Sequence, residues 1–112
     1  LNFYMLKLFL KLININIKLI KLSELEISGK KSELILNLCM KLKAKNFIFG
    51  EQGVNYADIE SFKKKEINTI FQNYKHPTYH QLHGKFISNL SIIDLLFNCG
   101  SKSLEIINFE QK

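Results

Sequence analysis

The chain has 112 residues, 46% of them apolar and 23% charged, which suits one domain with a single core and excludes general disorder. Its formal net charge is +6, and all sixteen basic residues are lysine. Two cysteines, Cys39 and Cys99, form no CxxC pair and no dense disulfide framework, so they read as reduced core thiols.

The dominance of isoleucine, asparagine, lysine, phenylalanine and leucine matches AT-rich codons and points to an AT-rich genome, that of an organelle. Leu1 stands where an initiator methionine is expected, which suggests an alternative start codon or a missing beginning. The opening LNFYMLKLFLKLININIKLIKL is broken by Lys7, Lys11, Lys18 and Lys21, so it is a poor membrane span. Leucines and isoleucines recur there at every second position, the period of a strand. Residues 1–22 are therefore expected to form an extended apolar segment.

After the glycine turn SGKKS, Leu34, Ile35, Leu38, Cys39 and Leu42 mark a helix over Ser32–Ala44. The stretch NFIFGEQGVNYAD reads as a loop with a short extended piece at Phe47–Phe49. Asp58 or Ser61 is expected to cap a second helix carrying Phe62, Ile67, Ile70, Phe71 and Tyr74. Lys63, Lys64 and Lys65 would then sit near its start, opposing the helix dipole and calling for an anionic partner. A third helix is expected from Thr78, with Leu82, Phe86, Leu90, Ile93 and Phe97 on one face and Gly100 at its end. The fold expected is mainly α: a small single domain of about three to four helices over residues 23–100, with a C-terminal tail at 101–112.

His76, His80 and His83 have helix-compatible spacing, but His76 precedes Pro77 and no acidic residue or second ligand cluster accompanies the pair that remains. That falls short of a zinc site. There is no Walker loop, no GxSxG and no cysteine–histidine pairing, so neither a catalytic residue, a metal nor a cofactor is assigned, and the chain is not expected to be an enzyme. Lysines at the SGKKS turn, along residues 41–45, at 63–65 and at Lys75, Lys85 and Lys102 favour contact with phosphates. RNP, KH and finger motifs are missing, so recognition would be of backbone and shape.

The order ININI, ELEISGKKSELIL, SFKKKEINTI, the Leu82–Asn89 separation and IDLLFNCGSKS resembles that of the bacterial-type small-subunit ribosomal protein S-thirteen family over residues 13–103. One glycine of that family's turn, its tyrosine-arginine-glycine stretch and its basic tail are absent. The resemblance implies a constituent of the small-subunit head of a mitochondrial ribosome, in the matrix. Its implied partners are ribosomal RNA, an S-nineteen-like head protein and an L-five-like bridge protein, with transfer RNA nearby. RNA contact is implied for Gly29, Lys30, Lys31, Lys85, Asn89, Ser101 and Lys102, and the basic reading adds Lys63, Lys64 and Lys65. The alternatives are an accessory subunit of an organelle-encoded respiratory membrane complex and a different mitochondrial ribosomal protein.

Overall fold

The leucine-rich opening is a helix, not a strand: Asn2–Leu12 forms α1 in the computed structural model, which describes residues 1–109. Apolar residues fill odd as well as even positions there (Phe3, Met5 and Phe9 beside Leu6, Leu8 and Leu10), so the run satisfies both periods. Propensity decides, because leucine and lysine are good helix formers. The helix stops where the β-branched residues begin, at Ile13. Its end is a Schellman turn: the Ile15 N–H donates to the Leu10 carbonyl and the Asn14 N–H to that of Lys11, with Asn14 at φ +57°.

The described chain divides into two compact units, residues 19–74 and residues 1–18 together with the segment from Lys75 onward. In the first, a single helical turn at Leu22–Glu24 leads to α2, Lys31–Lys41. The approach is pinned to α2, since Asn37 Nδ2 donates to the Ser28 carbonyl at 3.0 Å and Lys41 Nζ to that of Glu26 at 3.4 Å. Strand β1, Asn46–Phe49, follows. A single-turn helix at Glu51–Asn55 and α3, Ile59–Lys64, then carry the chain across to β2, Asn68–Phe71. The two strands pair in parallel, Asn46 opposite Asn68 through Phe49 opposite Phe71. Parallel pairing requires such a crossover.

Alternation along β1 sends Phe47 and Phe49 inward and leaves Ile48 outside. Phe49 and Phe62 are fully buried and pack edge to face with ring centroids 5.5 Å apart, while Phe71 stacks on Phe49 at 5.3 Å. Cys39 and Ile67 complete the core. Burial holds the Cys39 thiol above its ordinary pKa, so it is a filler and a reluctant nucleophile.

The second unit contains α1, an irregular segment from Lys75 to Ser91, α4 (Ile92–Cys99), a single turn at Gly100–Lys102 and α5 (Ser103–Phe109). Residues 110–112 of the expected tail lie outside the described residues. Ser91 caps α4 by accepting from the Ile93 N–H, and Gly100 ends it at φ +53°. Three expectations are corrected by these elements. The helix expected after Asp58 is short α3 followed by a strand. The helix expected from Thr78 exists only from Ile92. The architecture is mixed helix and sheet, not mainly α.

Candidate functional site

The segment from Lys75 to Ser91 has no regular structure, yet it is tied to α4 by side chains converging on Asp94. The Tyr79 hydroxyl donates to Asp94 Oδ2 at 2.7 Å, Gln81 Nε2 to the same oxygen at 3.0 Å, and Asn98 Nδ2 to Asp94 Oδ1 at 3.2 Å. Gln81 also closes the loop on itself, its amide oxygen accepting from the Ile87 N–H at 2.8 Å and its amide nitrogen donating to the Ile87 carbonyl at 2.9 Å. Asn98 Oδ1 accepts from the Leu82 N–H at 3.0 Å. Helical spacing of the apolar residues lost to this chemistry: one glutamine takes both backbone groups of Ile87, and Gly84 and Asn89 sit at φ +69° and +59°. An α-helix permits neither.

Within the loop, His76, Tyr79 and Phe86 form an aromatic cluster, with Tyr79 edge-on to Phe86 at 5.3 Å. The Asn89 N–H donates to His76 Nε2 at 3.1 Å, which leaves the ring proton on Nδ1, facing the Pro77 carbonyl at 2.9 Å. His76 is thus half-buried and engaged at both nitrogens. His80 and His83 are exposed on the loop, with Lys85 two residues on. No group of three metal-ligating side chains gathers among the described residues. Burial, and then the hydrogen bond to Asp94, push the Tyr79 phenol above its ordinary pKa, and burial does the same to the Cys99 thiol.

The residues singled out from the sequence fall on both units. Gly29, Lys30 and Lys31 do stand at the start of a helix. Gly29 adopts φ +118°, where an added Cβ would lie 3.1 Å from the Leu34 nitrogen, and Lys30 precedes the first turn of α2. Lys63 and Lys64 occupy the last turn of α3 with Lys65 at its C-cap, the end where positive charge is favoured. The dipole conflict that called for a compensating anion is therefore absent, and Lys63 also pairs with Glu60 at 3.1 Å. Lys85 and Asn89 lie on the irregular loop, Asn89 held by its contact to His76. Ser101 and Lys102 lie in the turn after α4, where Ser101 borders a groove described below. The Asp94 hub is faint in the sequence; its signal is the pair Asp94 and Asn98, one turn apart inside the apolar IIDLLFNC.

These placements remove the basis of the ribosomal resemblance. SFKKKEINTI, matched there to one helix, is split between α3 and β2, and Leu82 and Asn89 are on no helix. Comparison with known proteins agrees. The chain is 28% identical over 110 residues to the uncharacterized Mycobacterium tuberculosis protein Rv1507c, covering 97% of this chain and 48% of that protein. It thus spans about half the length of the curated relative it matches. No solved structure matches it. The family model that matches does so over residues 1–106 and is not ribosomal. Family membership overturns the expected roles in a mitochondrial ribosome or respiratory complex. It equally overturns ribosomal RNA, transfer RNA and the S-nineteen-like and L-five-like proteins as partners. With all but the last six residues inside that match, the chain belongs to the WbqC-like protein family.

Proposed function

We propose that this chain is a recognition module, not a catalyst in its own right, and that its recognising element is the loop at residues 75–91, which takes an anionic small solute bearing phosphate or carboxylate. The observation that carries this reading is the Asp94 hub: Tyr79 and Gln81 of the loop both donate to its carboxylate, and Asn98, beside it on α4, accepts from the Leu82 N–H, so one irregular loop is held in one shape. Loops of this length without regular structure are uncommon in compact domains and are usually either functional or linkers, and this one is too firmly tied down to be a linker. Binding residues collect on loops held by a rigid frame. With its scaffold groups turned inward, the loop leaves His80, His83 and Lys85 exposed around the Gly84 turn, as donors for an anion. The net charge of +6 favours such a ligand at longer range. A carboxylate already accepting from three side chains suits a structural hub better than a general base.

The test is a titration of the labelled chain with inorganic phosphate and with acetate, followed by amide chemical shifts. Saturable shifts confined to residues 78–90 are expected, weakening as salt rises, with affinity falling about fivefold or more in the double variant His83→Ala, Lys85→Ala. Equal shifts at Lys30, Lys31 and Lys63–Lys65 would mean diffuse attraction by the lysines, and would sink the assignment to the loop.

A further inference from the structure

Helix α1 has no buried residue, although Phe3, Met5, Leu6, Leu8, Phe9, Leu10 and Leu12 surround most of its axis and only Lys7 and Lys11 charge it. A helix apolar nearly all round belongs in a core or a membrane. An eleven-residue helix is too short to span a bilayer, and no helix among the described residues is long and apolar enough to cross one. Within the same unit, Met5, Leu8, Phe9 and Leu12 line a groove of about 640 Å³ with Ile93, Leu96 and Phe97 of α4, and Phe97 is 89% exposed.

The unit formed by residues 19–74 repeats the theme independently. Ile48 and Ile70 are directly paired on the outer face of the sheet and are 62% and 45% exposed. Parallel strands are ordinarily covered on both faces, and a two-stranded sheet is marginal alone. Both faces look half-built, and the chain corresponds to 48% of its mycobacterial relative.

We propose that the α1–α4 groove is the seat of a polypeptide equivalent to the part of the mycobacterial relative that lies outside the 110-residue match. The occupant is protein and not lipid because the groove is concave and fits an inserted ridge of side chains, and because the chain matches only 48% of its mycobacterial relative, which leaves a polypeptide of comparable length to supply that ridge. The apolar ridge of the occupant closes on Met5, Leu8, Phe9, Leu12 and Phe97, turning α1 into the core helix its composition describes.

The experiment joins this chain to that part of the mycobacterial protein through a flexible glycine-serine linker, which raises the local concentration to roughly millimolar. Amide hydrogen exchange is then read in residues 2–12. Exchange there is expected to slow at least tenfold in the joined protein and to return to the value of the unlinked chain in Leu8→Lys and in Phe97→Glu. Both substitutions are at exposed positions, and unchanged exchange at the buried Phe62 and Ile67 shows that the fold survives them. Unchanged exchange in α1 on joining, or slowing that both substitutions leave intact, overturns the proposal. So does equal protection of the unlinked chain by raising its own concentration or by vesicles of zwitterionic and anionic phospholipid.

Discussion

Tyr79 shows how one phenol joins loop order to pH. Its hydroxyl is one of three donors on Asp94, so Tyr79→Phe removes a charge-assisted bond and should cost roughly 1.5 kcal/mol in urea unfolding. Its pKa is raised on folding, so the folded chain holds the phenolic proton more tightly than the unfolded one. This contribution is complete below the unfolded value of about 10 and is lost as pH rises through the folded value. Urea midpoints measured from pH 8 to 11 should fall more steeply for the native chain than for Tyr79→Phe, and the two should converge at the alkaline end. Gly53 is the other sensitive position. A Cβ there would stand 2.5 Å from Cβ of Phe49, which is 1% exposed, so the core ring must move. Gly53→Ala should lower stability by roughly 1–3 kcal/mol, measured by the same unfolding assay. Neither role is visible in the sequence, where Tyr79 looks like a helix residue and Gly53 like one loop glycine among several.

At the scale of elements, the helix ends carry the main lesson. Helices α1, α2 and α3 all finish in the same turn, with Asn14, Lys43 and Glu66 in the left-handed position that glycine normally fills. Ala44 N–H reaches back to the Cys39 carbonyl at 2.9 Å, and Ile67 N–H to that of Phe62 at 3.0 Å. A side chain is strained there, so Lys43→Gly and Glu66→Gly should each stabilise by roughly 0.5–1 kcal/mol, a sign opposite to that of most glycine substitutions. Thermal unfolding of the two variants checks it. The same feature explains what was legible. Helix α2 is legible nearly to its bounds because Leu34, Leu38 and Leu42 follow a glycine turn, and β1 because Gly50 closes the apolar Phe47–Phe49. The passage from α3 to β2 is not legible in the sequence because no glycine marks the stop at Glu66, and Phe62, Ile67 and Ile70 fit a helical stripe as well as a helix followed by a strand. Ser91 is hidden as a cap in the sequence because the apolar stripe continues upstream through Leu90 and Phe86. Ser91→Ala should cost about 1 kcal/mol and fray α4, visible as faster exchange of the Ile93 amide.

For the molecule as a whole, surface composition sets behaviour. Leu8, Leu12, Ile93 and Phe97 are exposed together around one groove, more apolar surface than scattered single residues provide. Isolated at neutral pH, the chain should bind a hydrophobic fluorescent dye, and Leu8→Lys should reduce that signal without changing the far-ultraviolet circular dichroism. Discontinuity of the unit that holds this groove matters during synthesis. Residues 1–18 are made before residues 19–74, and the α4 residues beside them on the groove come only after the whole of that other unit. At roughly 5–20 residues per second, the apolar α1 waits for seconds without its α4 neighbour while residues 19–74 are completed. A nascent chain of this design offers α1 to holdase chaperones before its groove partner exists, and slowing elongation should raise its aggregation even though nothing in the finished fold has changed.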